Sequence, residues 1–203
     1  MDPVPRVEGV ILWGDIMQAH ALLSIDRERL RPFFERVPEL FESYHHSEQQ
    51  NSDGYEELLY RVYHPYTREM LDMIDEWMGL EPRNWRIEVE REVMLMLYAI
   101  RYPDTLLLES LSDESAIDLQ RLSGYLHFMK HTYTIWDEDT RQGLEKLGIM
   151  IPKTERADPF IYGAYISAIE LLKNLAPFHS FMEHDIPRQR LFQAALAAYG
   201  RKE

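Results

Sequence analysis

The stretch DLQRLSGYLHFMKHTYTIW, residues 118–136, decides the fold that we predict for this chain. Apolar side chains recur in it at alternating spacings of three and four residues, which is the a/d seam of a helix in a bundle. Ser112 or Asp113 can cap the start of this helix. We therefore predict one helix through residue 136 whose core-facing residues are Leu119, Leu122, Leu126, Met129, Tyr133 and Trp136.

The same helical periodicity runs through most of the chain. It predicts helices over residues 10–23, 30–44, 55–63, 70–77 and 89–100, a helix from 158 towards 177, and another from 187 to 200. Residues 93–100 are apolar nearly all round, so we expect that helix to be the most buried one. No useful segment alternates with period two. The predicted fold is an all-α, single-domain multi-helix bundle of eight or nine helices without a sheet.

Two features could interrupt this bundle. Pro32 and Pro38 lie inside the second predicted helix, and each removes a backbone donor, which predicts a kink or a break. Residues 46–54 and 150–158 are polar or charged and are the predicted soft joints. Neither is long enough to tether two domains, so we assign residues 1–203 to a single domain.

Composition narrows the functional classes. The chain of 203 residues contains no cysteine and has a formal net charge of −13, which disfavours thiolate metal sites and contact with nucleic acid. Its amino terminus lacks the basic region of a signal peptide, and no apolar run is long enough to span a membrane. We expect a cytoplasmic protein with neither a nucleic-acid nor a membrane partner.

The quoted stretch carries two candidate pairs. His127 and His131 are four residues apart and could share a metal on one helix face, although the seam places them on the outer, polar side. Arg121 and His127 have a spacing that resembles the arginine–histidine signature of HEPN ribonucleases, which are also all-helical. That resemblance implies that Arg121 and His127 would meet their counterparts across a dimer and position a scissile phosphate.

Two pairs of acids form a third candidate site. Glu39 and Glu42 precede Glu69 and Asp72, and acids three apart lie side by side on a helix. The arrangement resembles the ExxE…ExxD pattern of all-α nucleoside triphosphate pyrophosphohydrolases. The resemblance implies that these four carboxylates would hold Mg²⁺ against a triphosphate. The alternative is a solvated helix face with no cofactor.

The composition favours binding to another protein. Methionines and aromatics that could line a groove for a partner helix concentrate in one part of the chain, although they could also be ordinary core. In size and acidity the chain is similar to helical maturation chaperones of the TorD and NarJ kind. We therefore expect an accessory, adaptor or chaperone-like module without a cofactor. A homodimer is also possible. The predicted groove consists of Tyr63, Tyr66, Met70, Met73, Trp77 and Met78.

Overall fold

The computed structural model describes residues 27–47, 49–63, 65–99, 117–154, 157–177 and 186–201. Within these ranges the chain forms eight α-helices and no β-strand, which confirms the predicted all-α fold. None of these helices is long and apolar enough to cross a membrane. The helix predicted over 10–23 lies outside the described residues. In chain order the helices are α1 (Arg27–Ser47), α2 (Gln49–Arg61), α3 (Arg68–Trp77), α4 (Ile87–Ala99), α5 (Leu119–Met129), α6 (Glu138–Lys146), α7 (Pro159–Leu175) and α8 (Arg188–Arg201).

The first two helices differ from the sequence prediction. α1 continues through Pro32 and Pro38, so the predicted break does not occur. The face that carries Phe33, Val37 and Leu40 is buried, and burying side chains of this size, at about 1.5–3 kcal/mol each, offsets the lost backbone bonds. The soft joint predicted at 46–54 is helical on both sides of position 48. The second predicted joint, at 150–158, does lie between helices, namely α6 and α7.

The centre of the described fold is α8 rather than α4. Every residue from 191 to 198 on α8 is buried, and this helix packs against α1, α6 and α7. Four of those eight residues are alanines, so neighbouring helices can approach closely on several sides. The prediction that residues 93–100 form the most buried helix is wrong, because α4 buries Glu90, Val93 and Leu97 and exposes its opposite side.

The helix of the quoted stretch is shorter than predicted. α5 begins after Asp118, whose side chain caps the helix by accepting the backbone N–H of Arg121 at 2.7 Å. The predicted caps, Ser112 and Asp113, lie outside the described residues. The helix ends at Met129, and the chain then turns back. Tyr133 and Trp136 are buried as the seam predicted, but they reach the core from an irregular segment. The hydroxyl of Ser123 holds that segment in place by accepting the backbone N–H of Trp136 at 2.7 Å.

The helix α6 was missed by the sequence analysis. Asp137 is its N-cap and accepts backbone N–H groups of Asp139 and Thr140, and Gly148 follows its end with a φ of 87°. Gly143 on this helix lies against α8, where a Cβ atom would collide with the backbone carbonyl of Leu196. The a/d seam predicts a helix through residue 136, and the short helix α6 begins directly after that position.

Three other helix ends carry residues that are typical of their positions. Asp158 caps α7 by accepting the N–H groups of Phe160 and Ile161 at 2.9 and 3.0 Å, with Pro159 at the first helical position. Gly79 has a φ of 67° just after α3, and Pro187 directly precedes α8.

Candidate functional site

The six residues of the predicted groove do not form an open surface. Tyr66 and Met70 are buried, and the Tyr66 hydroxyl donates to the backbone carbonyl of Tyr125 at 3.1 Å. Met73, Trp77 and Met78 are partly buried and pack against the core. Of the six, Tyr63 is the exposed one. The other five side chains therefore pack into or against the core instead of lining an open groove.

His127 lies in the interior, not on an outer polar face. Its side chain is fully buried, and its Nδ1 atom lies 2.6 Å from the carbonyl oxygen of Tyr133. A carbonyl can only accept, so Nδ1 carries the proton and Nε2 accepts the Tyr55 hydroxyl at 2.7 Å. We call this arrangement the Tyr55–His127 pair. The predicted outer position was wrong because the chain turns back after Met129 and covers this side of α5.

The surroundings of the Tyr55–His127 pair keep the imidazole neutral. Burial lowers the pKa of His127 to about 3 despite the opposing hydrogen bond to Tyr133, and the nearby charges of Arg190 and His131 act in the same direction as burial. The Arg190 guanidinium lies 5.6 Å from the Tyr55 ring and 5.4 Å from the Trp77 ring. His131 is exposed in the turn after α5, so the two histidines do not share a helix face as predicted, although their ring centroids lie 5.5 Å apart.

A buried cluster of charges, absent from the sequence analysis, centres on Arg83 in the α3–α4 loop. The Arg83 side chain is 3% exposed and donates to Asp72 at 2.6 Å, to the Tyr125 hydroxyl at 2.9 Å and to Asp75. Its Nη2 atom also lies 3.5 Å from Glu90 on α4. This Arg83 cluster joins α3, α4 and α5. The periodicity of the sequence gives no signal for a single arginine in a loop, so the Arg83 cluster can be recognised only from the folded structure.

Asp75 is one of the two buried acids of this cluster, and Glu90 is the other. The Tyr125 hydroxyl donates to both carboxylate oxygens of Asp75, at 2.8 and 2.9 Å, and the Nε atom of Arg121 lies 3.3 Å away. Burial raises the pKa of Asp75, while Tyr125, Arg83 and Arg121 oppose that rise. Arg121 also donates to the backbone carbonyl of Glu81. Arg121 therefore belongs to the Arg83 cluster, while His127 is held by other groups.

The four carboxylates of the predicted metal site are not brought together. Glu39 on α1 lies 3.8 Å from Arg36, and Asp72 on α3 is paired with Arg83. Glu42 is half-buried and Glu69 is exposed. Within the described ranges, which include all four, no three histidine or acidic side chains are grouped as metal ligands. The two acidic pairs are regularly spaced along the chain, but the fold does not group three of their carboxylates around one point.

The outer side of α4 exposes large apolar side chains. Ile87, Leu95 and Tyr98 are 71%, 65% and 67% exposed, and we call these three residues the α4 strip. At about 100° per residue they fall within about 80° of the helix circumference. The sequence analysis missed this surface because an apolar run nearly all round a helix predicts full burial, whereas α4 is buried on one side only.

Comparisons with protein-family models, with curated proteins and with solved structures found no match. The functional interpretation therefore depends on the geometry of the α4 strip, the Arg83 cluster and the Tyr55–His127 pair.

Proposed function

We propose that this protein is a binding module for another protein and that the α4 strip is its contact surface. The observation that carries the proposal is the exposure of Ile87, Leu95 and Tyr98 on one side of a helix. Val93 and Leu97, on the other side of α4, are buried and attach the helix to the body. A grouped apolar surface on a water-soluble helix is typical of a recognition site, and an amphipathic helix is a common ligand for it.

The buried polar groups support binding rather than catalysis. His127 has both ring nitrogens engaged by the protein itself, and Asp75 is enclosed by Tyr125, Arg83 and Arg121. Side chains arranged in this way hold helices together, whereas a catalytic acid or base needs access to a substrate. The α4 strip, in contrast, is oriented towards solvent and is attached to a fixed element, as a recognition surface requires.

The proposal is tested by comparing what the protein captures from a native lysate with and without the α4 strip. The test variant combines Leu95→Ser with Tyr98→Ser. The matched control combines Met150→Ser with Phe160→Ser, two apolar residues that are also more than half exposed but lie outside α4. We expect the control to retain the captured partner and the α4 variant to lose it, with unchanged melting temperatures. Equal capture by both variants would contradict the proposal.

A further inference from the structure

The dimensions of the α4 strip limit what can cover it. From Ile87 to Tyr98 the strip spans eleven steps along the helix, or about 17 Å. That length matches about three turns of a second helix, and the three side chains present a narrow apolar line rather than a broad plane. A helix that inserts apolar residues at positions i, i+3, i+4 and i+7 can follow such a line.

The charged residues beside the α4 strip favour a partner with a positive charge. Glu88 and Glu92 are exposed and, at about 100° per residue, lie next to Leu95 along one edge of the strip. Arg91 falls between Tyr98 and Leu95, where its aliphatic stem can extend the apolar line while its guanidinium reaches water. The whole chain carries a net charge of −13, so its field attracts a basic partner. A second copy would instead bring two exposed acids for each arginine, and the same net charge, to the contact.

We infer that the α4 strip binds an amphipathic helix whose apolar face is bordered by lysine or arginine. This inference rests on the proposed function and specifies the partner's chemistry. The apolar line supplies the desolvated centre of the contact, and Glu88 and Glu92 set the orientation of the bound helix through ion pairs at its rim.

The inference is tested with synthetic peptides and the full chain. Three fluorescein-labelled 14-residue peptides are compared by anisotropy: a helix with leucines on one face and lysines on one edge, the same helix with glutamates for lysines, and a scrambled lysine peptide without an apolar face. We expect the first to bind roughly tenfold more tightly than the other two, and its binding to weaken with added salt. Equal binding of the ordered and scrambled lysine peptides would overturn the inference, because it would reflect net charge alone.

Charge reversal locates the contact. The double variant Glu88→Lys with Glu92→Lys is compared with Glu56→Lys with Glu170→Lys, which makes the same charge change at exposed positions on α2 and α7. We expect the first variant to weaken the lysine peptide roughly tenfold more than the second does. Equal weakening would overturn the inference, as would a homodimer that Leu95→Ser with Tyr98→Ser dissociates. If lysate capture depends on Leu95 and Tyr98 while the peptides show no charge preference, the proposed function stands and the inference fails.

Discussion

Tyr125 and Tyr55 each donate a hydrogen bond to a buried ionisable neighbour, and each bond stabilises the deprotonated state of that neighbour. The Tyr125 hydroxyl donates to a carboxylate, that of Asp75, and receives a hydrogen bond from Arg83. The Tyr55 hydroxyl donates to a neutral imidazole, that of His127. In each case the tyrosine fills the core with its ring and supplies a hydrogen-bond donor to a buried acceptor.

The Tyr125 hydroxyl can be removed almost without changing side-chain volume. We expect Tyr125→Phe to lower the free energy of unfolding by about 2 kcal/mol, because Asp75 loses a donor in a site that excludes water. Urea titration followed by circular dichroism measures the change. Tyr60→Phe is the matched control, since Tyr60 is exposed on α2, and it should leave the free energy of unfolding within about 0.5 kcal/mol of the parent value. If the two variants unfold alike, the hydroxyl–carboxylate contact contributes nothing to stability.

Among the elements, close approach between helices defines the centre of the fold. α6 crosses α8 where Gly143 faces the carbonyl of Leu196 and Gly200 faces that of Asp139, so neither position has room for a Cβ atom. Lys146 fixes the end of α8 by donating to the carbonyls of Tyr199 and Gly200 at 3.2 and 2.8 Å. Backbones in contact leave little space for water between α6 and α8.

Substituting alanine at two helical glycines should have opposite effects. Alanine normally stabilises a helix by up to about 1 kcal/mol relative to glycine. At Gly163 on α7 no atom lies within 4 Å of an added Cβ, so Gly163→Ala should raise the melting temperature. At Gly143 the same methyl group meets backbone, and we expect Gly143→Ala to destabilise the protein by about 1–3 kcal/mol. Differential scanning calorimetry of both variants tests this, and a stabilising Gly143→Ala would show that α6 does not pack so closely.

The sequence predicted elements wherever a local signal was sufficient. Asp158 before Pro159 located the start of α7, because capping depends on neighbours in the chain. It did not locate the end of α5, because the spacing of Tyr133 and Trp136 suits a helix but is also satisfied by a segment that folds back over Ser123. The Arg83 cluster could not be predicted, since its acids, Asp72, Asp75 and Glu90, lie 11, 8 and 7 positions from Arg83 and meet it only through the packing of α3 and α4.

For the whole molecule, the charges fall into two groups: those of the Arg83 cluster, which hold helices together, and the acids outside it, which give the chain its net charge. The Arg83 cluster joins three arginines, Arg68, Arg83 and Arg121, to the acids Asp72, Asp75 and Glu90 and is therefore balanced. The net charge of −13 must then come from the rest of the chain. Acids on exposed surfaces such as the outer side of α4 would steer the basic partner that we propose, whereas the buried ion pairs of the Arg83 cluster are screened little by salt.

Acid should destabilise the whole molecule through His127. Its pKa in the folded protein is about 3, below the ordinary value of 6.5, so between these values the unfolded chain binds a proton that the folded chain excludes. Stability from this group is complete above pH 6.5 and falls as the pH is lowered, by about 2 kcal/mol at pH 5. Urea titrations at pH 7 and pH 5 measure this loss, and His127→Gln, which cannot titrate, should show a smaller one.

An NMR titration measures the ionisation of His127 without a substitution. We expect the His127 ring resonances to stay constant from pH 7 to pH 4.5, because a histidine enclosed by Tyr55 and the Tyr133 carbonyl remains neutral, and a midpoint near pH 6.5 would show that the imidazole is accessible to water.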